Sequence, residues 1–161
     1  MTNMHLIPFR VLRGGVVAAL LLMAVATVVN AASAFGQSTT DAATVLQQLE
    51  QQDARVAANV TAFTTYTSAS DPERLLGTQH QYDSKVTFAD RRVAPAGGSI
   101  EVFQTPADLA ARVAHLQRSQ QSLPHEYYYG VGTILLRLSG NLPPEVAAVY
   151  GAALRDITTQ R

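Results

Sequence analysis

Apolar residues recur along this chain at spacings that change from segment to segment, and each spacing predicts a type of element. From 41 to 63 they follow one another at steps of three and four, which predicts one helix capped by Thr40 or Asp41. Its apolar stripe comprises Leu46, Leu49, Val56, Val60 and Phe63. Asp53 falls on this stripe, either at its edge with the charge in water or buried beside an arginine.

The next periodic segment, 83–92, alternates as expected of a half-buried strand. Val86 and Phe88 share one face, and the other face comprises Lys85, Thr87 and Arg91. The segment before it, 71–77, predicts a turn at Asp71-Pro72 and one helical turn that ends at Gly77. The run VAPAGG then predicts a turn, and SIEVFQT predicts the returning strand of a hairpin.

The C-terminal half repeats this order of elements. Thr105 and Pro106 predict the start of a helix whose apolar face comprises Leu109, Val113 and Leu116. A second hairpin follows, with Tyr127 to Tyr129 on one arm, Ile134 to Leu138 on the other, and Gly130 and Gly132 in the turn. Pro143-Pro144 opens a last helix.

The order of elements predicts a single α+β domain over 41–161, preceded by a linker at 35–40. Hairpins imply antiparallel pairing, so the expected sheet has four strands and is mostly antiparallel. Two ββα units, 83–121 and 126–157, follow an N-terminal helix, and all helices are expected on one face of the sheet.

The first 34 residues carry the parts of a secretory signal peptide in order. Arg10 and Arg13 precede the apolar run Val16 to Val29, and Ala32-Ser33-Ala34 fits a cleavage site. The alternative is an uncleaved membrane anchor, although the run is shorter than the roughly 20 residues that span a bilayer. Both interpretations place the rest of the chain outside the cytoplasm, because the arginines remain inside. The segment therefore predicts a secreted or extracytoplasmic protein, attached to a membrane only if it is uncleaved.

The amino-acid composition argues against several classes of function. The formal net charge is zero, with 12 basic and 12 acidic residues, which argues against a nucleic-acid partner. The chain has no cysteine and therefore no disulfide, thiolate metal site, cysteine nucleophile or lipid attachment point. Histidines and carboxylates are not clustered at ligand spacing, so neither a metal nor another cofactor is expected.

The densest chemistry lies in 71–92, which supports two interpretations. His80, Asp83 and Ser84 supply residue types of a hydrolase, but His80 and Ser84 are about 13 Å apart on an extended chain and no nucleophile elbow is present. No catalytic residue is therefore assigned. The favoured interpretation is a binding edge, with candidates Tyr82, Lys85, Asp90, Arg92 and, from the tyrosine run, Tyr128.

Arg137 stands between leucines that are expected to be buried. A charged side chain there needs an acidic partner. Glu101, with Asp90 as the alternative, is expected to form a structural ion pair with Arg137 across the sheet.

Four blocks of the chain resemble a family of uncharacterised exported or lipid-anchored bacterial proteins. They read YTSASDPERLLG, QYDSKVTFADRR, GGSIEVFQTPADLAARVAHLQ and EYYYGVGTILLRLSGNLPPEVAAVYGAAL, from Tyr66 to Leu154. The chain departs from that pattern at Thr78-Gln79, where Arg-Pro often stands, and it lacks the lipobox cysteine of many relatives. The resemblance implies an exported domain without an established activity.

The expected function is thus that of an exported bacterial domain at the cell envelope or outside the cell. It is predicted to bind an envelope protein or polymer without catalysing a reaction. The alternatives are an extracellular hydrolase that uses 71–92 and a structural or self-associating envelope protein.

Overall fold

A computed structural model describes residues 40–119 and 125–160. The predicted signal segment and residues 35–39 of the linker lie outside the described residues. Among the helices that the structure describes, none has the length and apolar character needed to cross a membrane.

The described chain forms an α+β domain around one sheet, in which every strand pair is antiparallel. Its order is β1-β2-β3-β5-β4, so the central β3–β5 pair joins the two predicted hairpins. The elements in chain order are α1 (Ala42–Gln52), α2 (Ala54–Ala57), β1 (Val60–Thr65), β2 (Tyr82–Asp90), β3 (Gly97–Phe103), α3 (Pro106–Ser119), β4 (Glu126–Val131), β5 (Ile134–Ser139) and α4 (Pro144–Thr159).

The sheet has five strands, so the prediction of four strands is wrong. The error comes from the helix predicted over 41–63, which ends at Gln52. Asp53 has an extended backbone, and its side chain accepts the N–H of Arg55, which starts the short helix α2. The threonine-rich run that follows favours an extended strand and forms β1.

One residue of the predicted stripe, Phe63, consequently has other surroundings than expected. Phe63 lies on an edge strand and is 56% exposed. Of the two alternatives for Asp53, the structure agrees with a charge at the edge of the stripe, because its partner Arg55 has a side chain that is largely in water.

Helices cover both faces of the sheet, so the prediction of one covered face is also wrong. Adjacent residues of a strand point to opposite faces. Leu109 of α3 contacts Gly130 of β4, whereas Gly151 of α4 contacts the neighbouring Tyr129. α3 and α4 therefore pack on opposite sides.

The main core lies on the side of α1 and α4. Its largest fully buried side chains include Leu46, Leu49, Ile100, Leu136, Leu138 and Leu154. The second face carries a smaller apolar cluster beneath α3, made of Tyr82, Phe103, Leu109, Leu116 and Leu135. α3 covers only one end of this face, and charged side chains occupy the boundary between its covered and open parts.

Candidate functional site: an ionic cluster beside a polar groove

Seven charged residues form an ionic cluster on the second face of the sheet. It comprises three cations, Lys85, Arg112 and Arg137, and four carboxylates, Asp71, Glu73, Glu101 and Glu126. Tyr82 contributes a hydroxyl to the same cluster. The members come from a loop, four strands and α3, so only the folded chain brings them together.

Three members lie on neighbouring strands. Lys85 of β2 stands directly opposite Glu101 of β3 in the strand register. Arg137 of β5 pairs with Ser99, two residues from Glu101 and therefore on the same face. Glu101 is 0% exposed, and the Arg137 guanidinium donates to its Oε1 at 2.8 Å.

The loop before β2 is shaped by Asp71. Its buried carboxylate accepts the backbone N–H groups of Leu75 and Leu76 at 2.9 and 3.1 Å. These bonds form consecutive turns where one helical turn was predicted, and Gly77 follows with a φ of 78°. The turns hold Glu73 over the strands.

The Glu73 carboxylate lies within ion-pair distance of all three cations of the cluster. Its Oε2 lies 2.6 Å from Lys85 Nζ and 3.0 Å from the Tyr82 hydroxyl. Its Oε1 lies 2.7 Å from Nη2 of Arg112 and 3.6 Å from Nη1 of Arg137. The Glu73 side chain nevertheless remains 34% exposed, which makes it the most exposed carboxylate of the cluster.

Arg112 connects α3 to the sheet. It follows Leu109 by three residues and precedes Leu116 by four, so it lies on the buried stripe of the helix. Its Nε donates to Glu101 at 3.1 Å, and its Nη2 lies 2.7 and 2.8 Å from the two oxygens of Glu73. One guanidinium thus holds a strand carboxylate and a loop carboxylate together.

The environment moves the pKa values of Glu73, Asp71 and Tyr82 away from neutrality. Burial alone would raise the pKa of Glu73, but hydrogen bonds from Lys85 and Arg112 and their charges outweigh it and lower the pKa to about 2. The pKa of Asp71 is likewise lowered despite burial, by bonds from Tyr82 and the backbone. Burial and the adjacent carboxylates raise the pKa of Tyr82. None of these three groups is suited to exchange a proton near pH 7.

A polar groove of about 330 Å³ opens beside the ionic cluster, over the uncovered part of the sheet. Its lining includes Glu73, Lys85, Thr87, Ser99, Glu126 and Arg137. Gly98 also lines the groove with its backbone, because a Cβ there would instead meet Phe88 and Leu138 of the main core. The groove thus presents donors and acceptors on paired strands.

The binding candidates predicted from the sequence separate into two groups. Tyr82 and Lys85 belong to the ionic cluster, and Tyr128 lies opposite Arg137 in the strand register and packs against the smaller apolar cluster. Asp90 and Arg92 belong to the other face, where buried Asp90 accepts from Arg92 and from the Tyr150 hydroxyl of α4 at 2.7 Å. The five residues therefore do not form one surface.

Sequence reasoning missed Asp71, Glu73, Arg112 and Glu126 as members of the site. Arg112 had a usable signal, because a charged residue on the apolar stripe of a helix needs a buried partner. Nothing in the local pattern distinguished Glu73 from a solvated loop residue.

The residues of the hydrolase alternative have three different sets of partners. His80 is exposed and lies 2.9 Å from Asp108, Asp83 accepts from Gln104, and Ser84 accepts the backbone N–H of Ala42. No nucleophile–base contact links these three described residues. Within residues 40–119 and 125–160, no group of three potential metal ligands is close enough to hold an ion.

Comparisons of this chain with protein-family models, curated proteins and solved structures find no match. The resemblance to an exported bacterial family therefore remains a prediction. The site and its geometry carry the functional proposal.

Proposed function

We propose that this protein is an exported bacterial domain that binds a polymer or protein of the cell envelope in its polar groove, without catalysing a reaction. The groove beside the ionic cluster is the observation that carries the proposal. It offers charged and hydroxyl groups at a mouth open to solvent. A polar ligand can displace water from such a groove when its own groups form the hydrogen bonds that the water made.

The charge distribution supports binding more than acid–base chemistry. The groove-facing Glu73 has a lowered pKa and engages cations of the cluster. Groups that stay ionised at the working pH orient a ligand and give specificity. A general acid or base would instead need a pKa near the working pH.

Export is tested on the full chain expressed in a bacterium that secretes proteins. We expect the protein outside the cytoplasm with an intact mass that lacks residues 1–34. Cytoplasmic material that retains Met1 would contradict export. Membrane-bound material that retains Met1 would support the uncleaved anchor.

Binding is tested by retention of the secreted protein on insoluble envelope material. Ser139→Tyr places a ring in the groove, because Ser139 lines it from the end of β5. Thr61→Tyr adds the same ring at an exposed position of β1, outside the groove lining, and serves as the matched control. We expect retention of the wild type and Thr61→Tyr, and loss of retention for Ser139→Tyr. Equal retention of all three proteins would exclude the groove as the binding surface.

The exposed edge strand β1 favours self-association as a second candidate function. β1 is almost wholly exposed, contains no charged residue, and carries Phe63, the one large apolar side chain among the described residues that is exposed. Uncharged edge strands pair readily with other strands. Mass-resolved chromatography should show a dimer that Phe63→Glu dissociates and Thr61→Glu weakens less. A monomer at all concentrations would remove this candidate.

A further inference from the structure

We infer that the cations around Glu73 form a site for the carboxylate of a ligand, and that the Glu73 side chain occupies this site until a ligand displaces it. The inference rests on the proposed binding function of the groove and names the chemical class of its ligand. The ligand is a molecule that lies in the groove and directs a carboxylate towards Lys85, Arg112 and Arg137.

The donors are arranged around the two oxygens of a single carboxylate group. Lys85 approaches Oε2 and Arg137 approaches Oε1, while Arg112 lies within 2.8 Å of both. A phosphate would bring a third oxygen and more negative charge near buried Asp71 and Glu101. The arrangement therefore favours a carboxylate over a phosphate.

Glu73 differs from the other carboxylates in how it is held. Asp71 and Glu101 are buried, and Asp71 is also bonded to the loop backbone. Glu73 is partly exposed, and its two carboxylate oxygens make the ion pairs and hydrogen bonds that hold its side chain over the strands. Rotation of this side chain into water would release the site while Asp71 still holds the loop.

The charge balance of the cluster also permits the exchange. Without Glu73, three cations face three carboxylates, Asp71, Glu101 and Glu126. A ligand carboxylate brings the number of carboxylates beside the three cations back to four, the number in the unliganded protein. Because one carboxylate replaces another, Lys85 and Arg112 exchange their hydrogen bonds to Glu73 for equivalent bonds to the ligand, and Arg137 exchanges one ion pair for another.

The site is continuous with the groove. Glu73, Lys85 and Arg137 belong to both the ionic cluster and the groove lining. A ligand in the groove thus reaches Lys85 and Arg137 without passing through the core, and it reaches Arg112 through the space that the Glu73 carboxylate leaves. The rest of the ligand contacts Ser99, Thr87 and Glu126.

Rescue by an added anion provides the first test, on the full secreted protein. Glu73→Ala vacates the site, Glu73→Gln removes the charge but fills the space, and Asp53→Ala removes a carboxylate from a surface ion pair. Melting temperatures are measured in sodium acetate, sodium phosphate and sodium chloride at equal ionic strength. We expect acetate to raise the melting temperature of Glu73→Ala by roughly 4 °C more than chloride does, at concentrations well above its dissociation constant. The other two variants should show no such excess.

The second test uses the wild type and does not depend on the folding of a variant. Calorimetry compares glucuronate with glucose, and N-acetylalanine with its amide, so that sugar and peptide carboxylates are distinguished from each other and from neutral analogues. We expect one of the two acids to bind and its neutral partner not to bind. Its affinity for Glu73→Ala should be about 10-fold higher, because no internal side chain competes.

Two results would overturn the inference. One is the absence of an acetate effect on folded Glu73→Ala together with the absence of acid binding by the wild type. The other is equal rescue by phosphate, which would indicate a general anion effect. Groove-dependent envelope retention combined with either result would leave the proposed function standing. Acetate rescue without envelope retention would support the carboxylate site and contradict the proposed function.

Discussion

The Lys85 ammonium lies 2.6 Å from the Glu73 carboxylate, and this contact joins the loop before β2 to the middle of the sheet. Lys85 is the only lysine in the chain, and its side chain is almost completely buried. It also contacts Asp71 at 3.2 Å and lies over the ring of Tyr82 at 5.0 Å from the ring centroid. Lys85 therefore connects the loop to the strand through ion pairs and also lines the groove.

Removal of Arg112 should destabilise the fold. Arg112→Met keeps much of the volume but removes a guanidinium that pairs with buried Glu101, which then keeps its contact with Arg137. We expect a loss of about 3 kcal/mol in the free energy of unfolding, because breaking a buried pair leaves charge that is incompletely compensated. Urea denaturation measures it, with Arg55→Met in the surface pair with Asp53 as the control, for which we expect little change. Equal stability of both variants would show that the Arg112 contacts contribute nothing.

The Tyr82 hydroxyl should contribute more to stability than that of Tyr66. Tyr82→Phe removes a bond of 2.7 Å to buried, ionised Asp71, and we expect a loss of about 2 kcal/mol. Tyr66→Phe removes a neutral bond of 3.1 Å to Thr87, for which about 0.5 kcal/mol is expected. Denaturant unfolding of the two variants gives the comparison. A loss for Tyr66→Phe that equals or exceeds that for Tyr82→Phe would contradict it.

Acidification should destabilise the protein through Glu73 and Asp71. Both have lowered pKa values in the folded state, to about 2 for Glu73, so the unfolded chain binds more protons in acid. The Glu73 contribution is complete above the unfolded pKa of about 4.5 and is lost as the pH falls towards 2. The Asp71 contribution is likewise lost in acid, because its pKa is also lowered. Melting temperatures between pH 2 and pH 7 measure this change.

Glu73→Gln provides the control for the pH profile. The stability difference between the wild type and this variant should be largest above about pH 5 and should shrink at lower pH. A difference that stays constant with pH would mean that the Glu73 charge does not stabilise the fold.

Asp90 and Arg92 should affect folding rather than ligand binding. Tyr150→Phe removes the hydroxyl that bonds buried Asp90, and we expect a loss of about 2 kcal/mol in the free energy of unfolding. Arg92→Leu should also lower stability. Retention on envelope material should be unchanged for both folded variants, because these residues lie on the face opposite the groove. Loss of retention by either folded variant would indicate that Asp90 and Arg92 contribute to ligand binding.

Local patterns in the sequence were sufficient for most elements of the fold. The alternation of Val86 and Phe88 predicted β2, and Thr105 accepts the N–H of Asp108 at the start of α3, as its position predicted. The α+β class and the antiparallel pairing are confirmed. The prediction failed at 53–65, where apolar residues at helical spacing predicted one continuous helix. The helix α1 ends before Asp53, and the threonine-rich run after it forms a strand.

Spacing along the chain determines which side of an element a residue faces, but not what covers that side. The sequence by itself therefore determined that Lys85 and Arg137 lie opposite the apolar face of their strands, and that Arg137 needs an acidic partner. Only the tertiary structure decided that α3 crosses to the second face and brings Arg112 to Glu73, 39 residues away along the chain. It also decided that Asp90 faces Tyr150 in the main core rather than the groove. The physical reason is that ion pairing depends on distance through space, and packing of helices and loops on the sheet sets that distance.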